Sequence, residues 1–338
     1  MKQSRVTMRD IAEHLNISVS TVSLALRDDP RLTLETKEQV RSIANDLGYR
    51  PDITGALLRT NHPRIIGVVA ELTQELHSEY VLHMQQVASE YGYHIVAEDV
   101  GVSGGYKEAL ERLAQFRISD TIVVNPYSLA QVPESLEPSL VIGQWSPWIN
   151  TDLVTSSNER GMEELLAHLK EQGYRKVFYL DGPDGISAQV RKSALDAAAA
   201  REGIGVKRVA AGNQVDDGYQ SVHELMSQNL LPDRRDMLRD IHDPVALICY
   251  NDQCAQGAVM ALVRSGIRVP EYVAVAGCDN SSIAKSRAFD LTSIDRRAHS
   301  ISQIAIKRVI ERRSKAQIET CQHRVDGYAV IRGSTRRR

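Results

Sequence analysis

A small all-α head joined to a larger α/β body of two doubly wound parallel-sheet lobes is the fold class this sequence predicts. Three observations predict it. Residues 5–50 carry three short helical patterns, apolar β-branched runs alternate with amphipathic segments from Ile65 onward, and 338 residues exceed one ordinary core. A hydrophobic share of 42% with 25% charged residues fits a soluble globular chain.

In the head, Thr7 can cap a first helix, with Asp10 three residues on as in a capping box, and Ile11, Ala12 and Leu15 form its apolar face. Asn16-Ile17-Ser18 is the break, and Ser18 suits the N-cap of a second helix from Val19 to about Leu26. Thr33 can cap the third, whose Val40, Ile43, Ala44 and Leu47 fall at helical spacing before Gly48 ends it. The segment 49–63 has prolines near both ends and an apolar patch at Ile53, Ala56, Leu57 and Leu58, too short for a stable isolated helix.

In the body the strand-like runs are Ile65–Ala70, His94–Glu98, Thr121–Asn125, Leu140–Gly143, Val177–Leu180, Ala246–Tyr250 and Val273–Gly277. Helical patterns between them include Tyr80–Tyr91, Tyr106–Gln115, Glu159–Gln172, Gln253–Ser265 and His299–Arg313. Such alternation implies parallel sheets covered on both faces. The series exceeds one sheet and is interrupted by residues 144–158, which suggests two lobes with a ligand cleft at the C-terminal strand ends.

The stretch "ISVSTVSLAL" (17–26) is unusually rich in short hydroxyls for a helix. Two short helices joined by a three-residue turn match a helix-turn-helix, whose second helix enters the major groove N-terminus first. Ser18, Thr21 and Ser23 can then bond phosphates, while Val19, Ser20 and Leu24 can touch base edges or thymine methyls. Thr7, Arg27 and Tyr49 complete the candidate DNA contacts. The same spacing also fits an ordinary capped three-helix unit. Charge points weakly toward nucleic acid: residues 1–64 hold ten Lys/Arg against eight Asp/Glu, whereas the whole chain is −2.

The stretch "VTMRDIAEHLNISVSTVSLALRDDPRLTLETKEQVRSIANDLGYRPDITGALLRTNHPRIIGVV" resembles the start of a lactose-repressor (LacI/GalR) family regulator. The likeness continues through "VTSSNERG", "GYRKVFYLDGP", "YNDQCAQGAVMALVRSGIRVPEYVAVAGCDN", "LTSID" and "AVIRGST". It implies a homodimeric repressor that binds double-stranded DNA at a palindromic operator, with a body like type I periplasmic sugar-binding proteins. The implied division is a helix-turn-helix head at 1–50, a hinge at 51–64 and an effector-binding and dimerisation body at 65–338. Val19 and Ser20 match the family's base-reading positions, and Leu24 stands where many members have an arginine able to read guanine. Leu58 matches the leucine that relatives wedge into the minor groove. Asp52 and Gly55 depart from the usual hinge residues.

The resemblance also places Arg191, Asn251 and Asp279 where relatives bond effector hydroxyls or polar ring atoms, and this trio suits such a ligand. His77 falls in the first loop and Gln214 about where relatives place a stacking aromatic. Trp145 or Trp148 can supply a stacking face instead. A carbohydrate-like small molecule is therefore the expected effector, and replacing Arg191 by alanine is expected to remove the response while leaving folding intact.

Other classes fit less well. No GxGxxG follows the first strand, and no P-loop, GxSxG or HExxH occurs, so neither catalytic residues nor a cofactor is expected. Cys249, Cys254, Cys278 and Cys321 have no zinc spacing, so reduced thiols and no metal are expected. With neither a signal-like segment nor 18 consecutive apolar residues, the expectation is a cytoplasmic protein without a membrane partner. A solute-binding sensor without DNA function would share the body but not residues 1–60.

Overall fold

A computed structural model describes residues 6–49, 63–116, 118, 120–126, 132–232, 244–314 and 319–337. By its internal packing the chain divides into two units, Met1–Pro63 and Arg64–Arg338.

The first unit contains α1 (Met8–Leu15), α2 (Val19–Leu26) and α3 (Leu34–Asp46). Each start has a sequence reason. The Asp10 carboxylate accepts from the Thr7 N–H at 2.6 Å and its hydroxyl at 2.8 Å. Ser18 Oγ accepts from Thr21 N–H at 3.0 Å, and Thr33 Oγ1 from Thr36 N–H at 3.3 Å. Asn16 and Gly48, both at positive φ, end α1 and α3. Ile11, Ala12, Val22, Ala25, Val40 and Ala44 form the small core, with Tyr49 packed against it. The Asp52, Gly55 and Leu58 readings lie outside the described residues.

The second unit has two sheets. The first uses β1 (Ile65–Ala70), β2 (His94–Asp99), β3 (Thr121–Val124), β4 (Leu140–Ile142), β5 (Asp152–Ser157) and β11 (Gln322–Asp326), in the order β2-β1-β3-β4-β5-β11, all parallel. The second uses β6 (Lys176–Asp181), β7 (Gly205–Ala210), β8 (Val245–Cys249), β9 (Val273–Asp279), β10 (Thr292–Asp295) and β12 (Tyr328–Val330), in the order β7-β6-β8-β9-β10-β12. Only β12 runs antiparallel among the described pairings. The central strands are buried throughout, as their unbroken apolar runs require.

Helices α4 (Glu75–Glu90) and Ala298–Ser314 cover one face of the first lobe. Glu159–Glu171 and Ile186–Glu202 cover one face of the second, and Val215–Ser227 and Asp252–Arg264 the other. The lobe boundary differs from the sequence expectation. Residues 152–157 form β5 of the first lobe, and the chain crosses just after it. It recrosses after β10, and again at Gly327 between β11 and β12. At Gly327 an added Cβ would lie 2.8 Å from the Asp295 carbonyl and 2.9 Å from that of Ser157. All three crossings therefore meet in backbone contact.

Candidate functional site

In the head, Ser18, Val19, Ser20 and Arg27 are exposed, as is Thr7, while Thr21, Ser23, Leu24 and Tyr49 are half-buried. The hydroxyls are not all free for a ligand. Ser18 Oγ is committed to the cap and lies 2.9 Å from Thr21 Oγ1. Ser23 accepts Arg27 Nη2 at 2.6 Å on its hydroxyl and Arg27 Nε at 3.1 Å on its carbonyl. Val19 and Ser20 are left at the exposed first turn, where helix N–H groups favour anions.

In the body, residues just past the C-terminal strand ends converge on the inter-lobe cleft, where doubly wound sheets bind ligands. Glu71 follows β1, Asn125 follows β3, Tyr250 and Asn251 follow β8, Asp279 ends β9 and Arg296 follows β10. An inner chamber of about 70 Å³ is lined by Gln74, His77, Arg191, Asn251, Asp279 and Arg296, among others. It adjoins an outer chamber of about 380 Å³ edged by Pro126, Trp145, Pro183 and Ile186, and the two share Glu71, Asn125, Gln144, Ser187, Asn213 and Tyr250.

Four of the six sequence candidates, His77, Arg191, Asn251 and Asp279, thus meet in the inner chamber, and Trp145 borders the outer one. Gln214 borders neither. It is the N-cap of the helix Val215–Ser227, its N–H donating to Asp217 at 2.8 Å, and its neighbour Asn213 lines both chambers instead. Trp148 lies in a separate surface hollow with Cys321. Sequence reading missed Gln74, Glu71 and Arg296. The signal for Arg296 was its place after a strand, but "TSID" is too polar to stand out as one.

Arg191 is 3% exposed. Its Nη1 donates to the Tyr250 carbonyl and its guanidinium lies 4.2 Å from the Tyr250 ring centroid. Burial opposes its charge, yet Cys278, Tyr250 and Asp279 around it hold its pKa above the ordinary value. Burial raises the Asp279 carboxyl, against the pull of Arg191 and Arg296. Arg296 Nη1 lies 3.9 Å from Asp279 Oδ1, and its Nε donates to Ser156 Oγ at 3.1 Å. Behind them Asp252 is also raised, by burial first and then by the charge of Asp279, while accepting from Ser281 N–H at 2.7 Å and Ser293 Oγ at 2.6 Å. Burial pushes His77 down to about 4, so its ring is neutral at physiological pH.

Four buried atoms of this chamber have no hydrogen-bond partner among the described residues: Gln74 Nε2, His77 Nδ1, Arg191 Nε and Asp279 Oδ1. Direct bonds tie the lobes across it. Asn251 Nδ2 donates to Gln74 Oε1 at 3.3 Å, Ser282 Oγ to Glu75 at 2.6 Å, Glu75 N–H to Gln253 at 3.1 Å, and Ser187 Oγ to Asn125 at 2.6 Å. No group of three or more His, Cys, Asp or Glu able to hold a metal occurs among the described residues.

A capped helix-turn-helix unit and a two-lobed body with a polar cleft define the class of a ligand-responsive DNA-binding regulator. Residues 7–52 match the family of bacterial regulatory proteins, lacI family, and residues 166–335 the periplasmic binding protein-like domain. Over half of the chain it belongs to the periplasmic binding protein-like family, and its N-terminal unit carries a lacI-family regulatory domain. It is 24% identical to the HTH-type transcriptional repressor CytR of Escherichia coli (strain K12), over 99% of this chain and 98% of that protein. It is 26% identical to the HTH-type transcriptional repressor PurR of Haemophilus influenzae (strain PittEE), over 90% of each. The crystal structure of the lac repressor dimer bound to operator and the anti-inducer ONPF shares the fold with a TM-score of 0.76 at 23% identity, over 98% of this chain and 99% of that one. A LacI transcriptional regulator from Rhodococcus species gives 0.70 at 25% identity, over 80% and 97%. No helix among the described residues is long and apolar enough to cross a membrane.

Proposed function

We propose that this chain is a cytoplasmic transcriptional repressor. A homodimer presents two heads (1–50) to a palindromic operator through hinges (51–64), and a carbohydrate-like effector in the cleft of the body (65–338) sets its affinity for DNA. Thr7, Ser18, Val19, Ser20, Thr21, Ser23, Leu24, Arg27, Tyr49 and Leu58 are the proposed DNA contacts, with Val19 and Ser20 closest to the base edges.

The observation that carries this reading is that one chain joins an exposed, capped helix N-terminus to a cleft in which four buried polar atoms have no hydrogen-bond partner among the described residues. An unmet buried polar atom costs about 1–3 kcal/mol, so four converging on one chamber favour a ligand that meets them. Arg191, Asn251, Asp279 and His77 are its proposed contacts. A ligand inserted among the direct lobe-to-lobe bonds shifts the lobe angle about the crossings at Gly327, and two discrete closures give the two DNA affinities. Exposed Met260 and Val263, three residues apart on the helix Asp252–Arg264, support burial of that helix against a second copy.

Fluorescence anisotropy with an operator duplex and its scrambled counterpart at physiological salt tests the proposal. Operator is expected to bind at least about a thousandfold more tightly, with Kd rising steeply with salt. Equal binding of the two duplexes refutes it.

A further inference from the structure

We propose a second small-molecule site outside the cleft: a hollow on the first lobe, walled by the two tryptophans, that takes an uncharged planar ring compound. It stands independently of the effector reading of the cleft.

The chain has two tryptophans, and both lie on the strap of residues 144–151 that joins β4 to β5. Along β5 the side chains alternate between the two faces of the sheet. Val154 packs in the core with the helices Glu75–Glu90 and Ala298–Ser314. Leu153 therefore turns to the opposite face, beside its register partner Gln322 on the edge strand β11. There Leu153 borders a hollow of about 530 Å³, together with Trp145, Pro147, Trp148 and Cys321. That volume falls within the roughly 300–1,000 Å³ of pockets that bury a small molecule.

The strap is pinned, so the hollow is formed before any ligand arrives. Gln144 Nε2 donates to the Ser156 carbonyl at 2.9 Å, Trp148 N–H to Ser146 Oγ at 3.2 Å, and Thr151 Oγ1 to the Pro138 carbonyl at 2.8 Å. Arg312 Nη2 donates to the Asn150 carbonyl at 2.9 Å. Yet Trp145 stays 42% exposed and Ile149 90%. Indoles presented on a fixed backbone offer a stacking face with little ordering cost left to meet.

None of the residues lining the hollow is charged. A charge brought there would shed its water without gaining a partner. The inner chamber of the cleft, by contrast, presents Arg191, Asp279 and Arg296. A ring laid against Trp148 can turn a polar edge toward Thr320 and Gln322, both exposed. Gln144 and Trp145 border the hollow and the outer chamber alike, so the strap partitions two sites of different chemistry.

Fluorescence titration of the full chain, whose tryptophan emission comes from these two indoles, tests the proposal. The probes are benzamide, nicotinamide and benzimidazole at pH 8, with benzoate and nicotinate as charged matches of the first two. At least one amide is expected to bind in roughly the millimolar range or tighter, on the order of tenfold more tightly than its carboxylate match. Trp148→Ala should weaken that binding roughly three- to tenfold. Gln322→Trp fills the hollow from an exposed position opposite Leu153 and should abolish it. Ser187→Tyr obstructs both chambers of the cleft and should leave it unchanged. A readout without variants is the thiol of Cys321, half-buried where Cys249, Cys254 and Cys278 are buried. Probe at ten times its Kd should slow alkylation of Cys321 by iodoacetamide about tenfold. The proposal is overturned if no uncharged probe binds, if the carboxylates bind equally well, or if Cys321 is alkylated at an unchanged rate. Binding that survives Gln322→Trp but is lost in Ser187→Tyr puts the probes in the cleft and overturns it too, leaving the effector reading intact. A Trp148→Ala chain that sediments as a smaller species while binding the probes as the wild type does makes the strap a subunit contact, which equally overturns it.

Discussion

Replacing Arg191 with alanine should destabilise the body even without ligand, contrary to what the sequence led us to expect. The variant leaves the Tyr250 carbonyl without its donor, at about 1–3 kcal/mol. It removes a guanidinium stacked 4.2 Å from the Tyr250 ring, worth about 0.5–2 kcal/mol. It also strips one of the two cations beside the buried Asp279 carboxyl. Breaking a buried ionic cluster from one side costs about 3–5 kcal/mol, so a loss of about 2–5 kcal/mol is expected. The loss should depend on pH. A carboxyl raised by burial rises further without Arg191, so the variant is penalised most where Asp279 must ionise, near pH 8, and least near pH 5. Urea denaturation at fixed protein concentration, at both pH values and alongside Arg191→Lys, measures this. Arg191→Lys keeps the charge but not the fork and should fall between the two. An Arg191→Ala midpoint equal to wild type at both pH values refutes the reasoning.

Other expectations follow from the same geometry. Because the folded pKa of His77 lies near 4 and the ordinary value at 6.5, its neutral ring contributes stability above about pH 6.5 that is lost as pH falls toward 4. The total is about 3 kcal/mol, with about 2 lost by pH 5, so His77→Gln should flatten the wild-type decline between pH 7 and 5 in chemical denaturation. Gly327→Ala drives a methyl into the carbonyls of Asp295 and Ser157 where the three crossings meet, and thermal melting should show a loss of about 1–3 kcal/mol. Met260→Glu with Val263→Glu places two carboxylates on exposed apolar positions of one helix. Sedimentation velocity should then show monomers where the wild type sediments as dimers.

What the sequence disclosed depended on burial. Strands such as β1, reading IIGVVA, are covered on both faces and stand out as apolar runs. The sheet-edge strands β7 and β11 read GVKRVA and QHRVD, half exposed, and are strands because a neighbour pairs with them. The helix Ile186–Glu202 was overlooked because its buried side is mostly alanine, which leaves a faint apolar stripe. Asn251 and Asp279 were placed by the family resemblance, and both fall at or just past the end of a conspicuous strand. Arg296 and Gln74 were not legible, because their roles come from the chain crossing between lobes and from a loop folding over the opposite one. Gln214 caps the helix Val215–Ser227 through Asp217, and the residue of this loop that lines the cleft is its neighbour Asn213.

The central claim, that this chain reads a palindrome as a dimer, is tested most directly by selecting duplexes from a random library with the full-length protein at physiological salt and sequencing those retained. The account predicts an inverted repeat with a fixed spacing between half-sites, and altered base preference at matching positions of both halves when Val19 or Ser20 is replaced. Retained duplexes with no shared sequence, or with one unrepeated half-site, would contradict it.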